Sequence, residues 1–407
     1  MLIGIDDTDS LKSMCTTYIG ALLFRELKGI EYPKLIRLNP NIPFKTRGNG
    51  AISFEVDSKN SAKESVLKLV EKYSCFDDPN TNPGVVFIEN VTKEKTRLLN
   101  NFYYKVVSEL VTLSEAEKVA KNVDAEIYKF KNGRGIIGAL AAIGAKLNDY
   151  TYELLAYRYP NNFGKKRKLD ENSVFKMNEV TYPNTFDNID IETNRVLIMP
   201  RGYDPIFCGI RGNIPQIVKT AFNMIKPLEK ISFLQIFETN QGTDVHLRDK
   251  KISEVKPYDC TKINGIVSEQ PRTNVGGHVF FKIKDNSGEI SCAAYNQTGN
   301  FRKIILKLII GDDVKIYGGL GKYPNTINLE KIEIQGLAKQ CHKKPPICCK
   351  KAMTSAGKGK GYKCKKCGKK VGSDKAVLQP IQRDLKTGLY EVPPRARRHL
   401  SKPLVRY

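Results

Sequence analysis

Three carboxylates in four residues, Asp6, Asp7 and Asp9 with Thr8 between them, follow a short apolar run of Leu2, Ile3 and Ile5. At that density they repel one another unless a cation lies among them. Mg²⁺ carrying a nucleotide suits such a loop, because it takes one or two carboxylates together with phosphate oxygens. The plainer reading is an acidic turn in which Asp9 or Ser10 caps the next helix. The loop's place at the carboxyl end of a strand, where open α/β sheets put their ligand crevices, favours a metal at Asp6 and Asp7. A second segment, Lys45, Thr46, Arg47, Gly48, Asn49 and Gly50, offers the complementary chemistry. Its glycines let backbone N–H groups approach a phosphate, and its cations add charge-assisted hydrogen bonds. Alone it reads as a β-turn and it is not a Walker loop; with the acidic loop it supplies both halves of a Mg–nucleotide site.

Between these segments Cys15, Thr16, Thr17 and Tyr18 open an expected helix. Hydroxyls there usually cap. One facing a nucleotide can instead accept a phosphoryl group, because the helix N–H groups stabilise the added charge. Further on, four polar, glycine-punctuated loops contain Gly133 with Arg134, Asp204, Arg211, and Asn240 with Asp244, which are candidates for substrate contacts. Asp204 or Asp244 can pair with a small cationic substrate, or either can simply form its turn. Near the end, Cys364 and Cys367 followed by Gly368 have the spacing of a zinc knuckle. The other half is the adjacent pair Cys348 and Cys349, with Cys341 and His342 upstream. Adjacent cysteines seldom both reach one tetrahedral ion, so the fourth zinc ligand is doubtful.

The elements that must hold these residues follow from periodicity. A strand over residues 2–6 leads into a helix over 15–27; strands are expected over 34–38 and 51–56 and a helix over 61–73. Helices near 138–146 and 217–224 and strands near 195–199 and 231–237 make a second α/β stretch, with residues 160–178 as a surface connection. Short strands then take over at 263–267, 278–283, 289–295, 314–317 and 327–334, with a helix over 301–308 between the third and fourth. Five strands with a helix in that slot match an OB-fold, a common oligonucleotide binder. The class is α+β multidomain: an α/β catalytic domain over 1–130, a second domain over 131–256, an OB barrel over 257–338 and a basic cysteine-containing tail over 339–407.

The formal charge of +24 favours a polyanionic partner, and residues 339–407 alone hold 20 Lys/Arg against 3 Asp/Glu. That concentration marks the tail as the electrostatic handle. The remaining cysteines are scattered without a disulfide framework, the chain opens without a cationic apolar leader, and no apolar run approaches the roughly 18 residues of a membrane span. A reducing, cytoplasmic setting is expected.

Seven motifs in order, IDDTDS with MCTTY, RLNPNIPFKTRGNGA, NGRGIIGALAAIGA, YDPIFCGIRGN, TNQGTDVHL, TSAGKGKGYKC and PPRARRHLSKPL, together resemble the archaeal tRNA(Ile) agmatidine (2-agmatinylcytidine) synthetases. The resemblance implies an ATP-using catalytic domain, a ferredoxin-like domain, an OB-fold and a zinc ribbon. It implies attachment of agmatine to the wobble cytidine of the AUA-reading isoleucine tRNA. In that reaction the base's 2-carbonyl oxygen is phosphorylated and the primary amine then displaces phosphate. By motif, Asp6, Asp7 and Asp9 hold Mg²⁺ and ATP, Lys45, Arg47 and the glycines around Asn49 bind phosphates, and Thr16 matches the family's phosphorylated threonine. A guanidinium substrate needs a carboxylate, which gives Asp204 a purpose on chemical grounds. One departure stands: Pro346 occupies the expected first cysteine of the family's first zinc knuckle. The residues taken alone also admit a non-catalytic OB-fold RNA-binding factor, or an ATP-dependent enzyme using another amine or base.

Overall fold

The structure, a computed structural model, describes every residue except 46–47, 58–59, 322 and 324, and the side chain of Asn60. The first elements are β1 (Leu2–Asp6), α1 (Thr16–Glu26), β2 (Ile30–Arg37), β3 (Gly50–Glu55), α2 (Asn60–Tyr73), β4 (Gly84–Ile88), α3 (Lys93–Ser108), α4 (Leu113–Asn122), β5 (Glu126–Lys129) and α5 (Ile136–Gly144). Then come β6 (Thr151–Arg158), α6 (Glu171–Thr181), β7 (Thr185–Phe186), β8 (Ile206–Gly212), α7 (Pro215–Met224) and β9 (Ile231–Thr239). All nine strands join in one sheet, ordered β5-β4-β1-β3-β2-β9-β6-β8-β7. The two α/β stretches meet at a parallel pair, where Lys34 and Leu35 of β2 face Glu238 and Thr239 of β9.

Alternation in the central strands feeds two cores. Ile3, Ile5, Ile52 and Val85 pack with α1 and α2 on one face, while Ile36, Val86 and Ile88 pack with α3 to α5 on the other. The small residues of α5 let it lie directly on β1: a Cβ on Gly4 would stand 2.4 Å from the Ala139 carbonyl oxygen. A Cβ on Gly138 would stand 2.0 Å from an Asp6 carboxylate oxygen, so this glycine leaves the room that the Asp6 side chain fills.

Two expectations change here. The strand near 195–199 is only Arg195–Val196. Residues 160–178 are more than a surface connection, because they include most of α6, whose Val174 and Met177 are fully buried at helical spacing.

The OB barrel contains β10 (Cys260–Thr273), β11 (Val279–Lys284), β12 (Glu289–Ala294), α8 (Phe301–Ile305), β13 (Asp313–Leu320) and β14 (Thr326–Gly336). β10 pairs with β11 and also with β13, which closes the barrel around Ile263, Phe281, Ile316 and Ile332. Beyond it, short strands between Ile347 and Val371 frame the four clustered cysteines, of which Cys348 ends a strand and Cys349, Cys364 and Cys367 lie in the connecting turns. The last residues turn back: β15 (Gly388–Glu391) adds to β14, and the segment after it lies against the nine-stranded sheet. There the His399 and Leu400 carbonyls accept from Gly242 N and Asp244 N, each at 2.8 Å. Part of the tail's positive charge is thereby internal, since Arg395 pairs with Asp190 at 2.7 Å and Arg406 with Asp149 at 2.8 Å. Among the described residues no helix is long and apolar enough to cross a membrane.

Candidate active site

The acidic loop and the basic turn come together. One cavity is lined by Asp6, Asp7 and Asp9 on one side and by Lys45, Gly48, Asn49 and Gly50 on another, with Phe44 and Arg134 at its edge. Thr46 and Arg47 lie outside the described residues. β1 delivers the aspartates, and Asp7 leaves the strand with a left-handed φ of 61°. Burial, then the neighbouring Asp7, pushes the Asp6 carboxyl well above the usual range. Burial likewise raises Asp7 to about 6, against the pull of the Arg134 guanidinium 2.8 Å away. Buried carboxylates that resist ionisation together, in a set of hard oxygen donors, fit a divalent cation.

A second cavity of about 300 Å³ opens beside the first and shares Asp9 and Gly48 with it. Its charged floor is Glu153 from β6, set between Arg37 at 3.5 Å and Arg211 at 3.3 Å, with Gln241 Nε2 donating at 2.5 Å. Burial opposes ionisation of Glu153, but Arg211, Arg37 and the Gln241 amide outweigh it and hold the carboxyl below its ordinary range. Asp204 also lines this cavity and accepts from Arg167 at 2.9 Å. His399 enters from the C-terminal segment and receives Arg211 Nη2 at 2.8 Å on Nδ1. Solvent reaches one edge of the ring, but the desolvating walls of the cleft, then the cations Arg37, Arg211 and Lys45, drive this imidazole below its ordinary pKa.

The predicted residues distribute unevenly over this geometry. Thr16 is buried under the acidic loop, where its hydroxyl accepts from Thr8 Oγ1 at 3.0 Å, while Thr17 and Cys15 line the second cavity. Cys15, at the N-cap of α1, makes no side-chain cap hydrogen bond, and Tyr18 N donates to the Cys15 carbonyl at 3.0 Å. Arg134 lines the nucleotide cavity rather than the second one. Gly133 lines neither; its φ of 67° turns the chain ahead of Arg134, so its contribution is to aim that side chain. Asn240 is fully buried and exchanges hydrogen bonds with the Arg37 backbone, which makes it a clamp across the β2–β9 joint. Asp244 is likewise engaged within the protein. Both its oxygens take Lys331 Nζ at 2.6 Å, and Tyr407 and the Lys402 N–H complete its bonding.

Sequence reasoning missed Arg37, Glu153 and His399. The available signal was Glu153, a buried carboxylate directly ahead of the apolar run Leu154, Leu155, Ala156 and Tyr157 in the strand Thr151–Arg158.

The doubt over the zinc ligands also resolves. The ligand atoms of Cys348, Cys349, Cys364 and Cys367 all lie within 4.8 Å of one another. Sγ separations of 3.5 Å (Cys348 to Cys367) and 3.9 Å (Cys348 to Cys349) bracket the spacing of about 3.8 Å that a tetrahedral ion with Zn–S bonds of about 2.3 Å demands. Left-handed backbone at Cys349 (φ 50°) and Lys350 (φ 60°) accompanies this gathering of adjacent cysteines.

Family models match most of the chain: the TiaS TCKD domain over residues 2–60 and 54–132, the TiaS FLD domain over 133–246, an OB-fold nucleic acid binding domain over 261–336, and the TiaS C-terminal zinc ribbon domain over 345–385. The TiaS of Thermococcus sibiricus, a 2-agmatinylcytidine synthetase named for an isoleucine tRNA, is 49% identical over 99% of this chain and 95% of its own length. Its counterpart in Methanocaldococcus jannaschii is 47% identical over 99% and 98%. Among solved structures, a complex of a TiaS with its isoleucine tRNA and ATP superposes with a TM-score of 0.91 at 42% identity. A complex of a TiaS with the same tRNA, AMPCPP and agmatine superposes with 0.88 at 40%; each covers 100% of this chain and 97% of the other.

Proposed function

The chain belongs to the TiaS family of isoleucine-tRNA 2-agmatinylcytidine synthetases, and from that premise we propose how its two adjoining cavities divide the reaction. It is an ATP-dependent ligase that modifies the wobble cytidine of the AUA-reading isoleucine tRNA with agmatine. The nucleotide cavity takes ATP, and the second cavity takes the cytidine base and the amine. The observation that carries this division is the shared wall of Asp9 and Gly48, which lets a phosphoryl group cross from one cavity to the other.

Asp6 and Asp7 would hold Mg²⁺, which when bound supplies charge neutralisation for the phosphate oxygens. Lys45 and the backbone around Gly48 and Asn49 orient the triphosphate, with Thr46 and Arg47 assigned by motif alone. Phosphorylation at the cytidine 2-carbonyl oxygen turns a poor leaving group into a good one. The agmatine amine, after giving up its ammonium proton, then forms the C–N bond at that carbon and releases a second proton as phosphate departs with the oxygen. Glu153 and Asp204 are the buried carboxylates suited to the two cationic ends of agmatine. A relative lacking its ZRD has been solved in complex with agmatine, which supports an amine site outside the ribbon. Thr16 would accept a phosphoryl group after the Thr8 hydrogen bond opens.

The same reading assigns catalysis to residues 1–130, substrate binding jointly to 131–256, and RNA grip to the barrel at 257–338 and the tail at 339–407. Dependence on tRNA and ATP supports a cytoplasmic setting. The test is nucleoside mass spectrometry of the isoleucine tRNA after incubation with ATP, Mg²⁺ and agmatine. The mass of agmatidine is expected, and its absence with the full mixture would refute the assignment.

A further inference from the structure

A third depression, of about 500 Å³, adjoins both cavities. Its polar side chains are Arg37, Lys45, Asn49, Arg398 and His399, and among the described residues no carboxylate lines it. The cations are incompletely neutralised. Lys45 Nζ donates to the Pro40 carbonyl, and among the described residues no carboxylate lies within ion-pair reach of it. Arg37 Nε is buried with no partner among the described residues. Arg398 donates to Asn41 Oδ1, and Glu330 stands behind it at 3.6 Å. Because an arginine can only donate, the Arg211 contact makes His399 Nδ1 an acceptor and puts the ring proton on Nε2.

We propose that this groove binds a backbone phosphodiester of the RNA beside the nucleotide being modified. The inference rests on the base entering the second cavity. The groove shares Arg37, Gly48 and His399 with that cavity, so a nucleotide whose base lies inside must carry its backbone past this rim. A phosphate of the bound ATP is the other source of the same chemistry. It is disfavoured because Arg398 and His399 do not line the nucleotide cavity and the acidic loop does not line the groove. Since both residues belong to the C-terminal segment, the phosphate contact would tie the seating of that segment to the seating of the substrate.

The test uses the full-length protein, wild type, Arg398→Gln and His399→Ala, with the isoleucine tRNA carrying a single methylphosphonate on either side of the wobble nucleotide. One of the two neutral linkages is expected to weaken wild-type binding roughly tenfold. Arg398→Gln is expected to weaken binding of unmodified tRNA by a similar factor and to lower the slope of log Kd against log salt by about 0.7, one single-stranded phosphate. The methylphosphonate should then cost that variant nothing further, and ATP affinity without tRNA should be unchanged. Should Arg398→Gln misfold, His399→Ala gives the same cycle, because the backbone carbonyl that holds Gly242 remains. Unchanged wild-type affinity for both modified tRNAs overturns the proposal, as does a variant that loses ATP affinity at constant salt slope. If wild type makes agmatidine while the methylphosphonates are neutral, only the groove fails; if wild type makes none, the reading of the cavities fails.

Discussion

Asp244→Ala separates a structural joint from a substrate contact. Lys331, on β14 of the barrel, has a side chain that is 0% exposed, and its ammonium lies 2.6 Å from both oxygens of Asp244, which follows β9 of the nine-stranded sheet. The Tyr407 hydroxyl and the Lys402 N–H bind the same carboxylate. Removing it leaves a buried charge with no counter-ion, a loss of about 3–5 kcal/mol. For a unit the size of the barrel, that lowers the midpoint of its transition by upwards of about 10 °C. Calorimetry is the assay, since separate units can melt separately, with limited proteolysis after Glu391 reporting release of the C-terminal segment. Adding Lys331→Met should restore most of the loss, because an apolar replacement of both partners removes the unpaired charge. A single variant with an unchanged thermogram that no longer binds agmatine would refute the reasoning and return Asp244 to the amine-binding role its sequence context suggested.

Glu153→Gln should raise the KM for agmatine at least about tenfold while ATP binding stays within about twofold, because the charge between Arg37 and Arg211 is lost and the shape is kept; an unaffected KM would remove Glu153 from the amine site. Asp7 is raised by burial to about 6, so protons compete with cations there. Mg–ATP affinity should climb with pH through about 6 and level above it, and an affinity that is flat between about pH 5.5 and 7.5 would contradict this. The native state binds the extra proton between the ordinary carboxylate pKa and about 6, so stability of the nucleotide-free protein should fall across that window as pH rises, then level. Thr16→Ala should impair modification while costing the fold only about 1 kcal/mol for the Thr8 hydrogen bond; full activity would leave Thr16 a packing residue. Metal analysis should find one zinc per chain, and Cys349→Ser should reduce it and weaken tRNA binding without altering ATP affinity.

What the sequence disclosed, it disclosed through local pattern. Leu2, Ile3 and Ile5 ending at Asp6 announce a strand and its acidic loop, and the five alternating segments after Cys260 announce a barrel. Long-range joints leave no such mark. The parallel pairing of β2 with β9 links Lys34 to Glu238, far apart in sequence, and neither strand advertises its partner. Polar turns mislead for a related reason: Asn240 and Asp244 use the same chemistry to hold a neighbouring element that they would use to hold a ligand. Segment 160–178 read as surface because its lysines outnumber the two apolar residues, Val174 and Met177, that α6 buries.

The basic tail shows most clearly why composition alone under-determines function. Read as a sum of charges it is one handle for RNA, yet its cations do two jobs. Those from the ribbon are largely exposed, as long-range attraction to a polyanion requires. Arg395, Arg397 and Arg406 instead meet Asp190, Asp187 and Asp149 of the α/β region, so their charge is spent on docking the segment that carries His399 into the cleft. Strong salt should therefore act on the two groups differently, screening the exposed set first and the buried Arg395–Asp190 and Arg397–Asp187 pairs little. The tail can then lose its attraction for RNA while the active site it completes remains assembled.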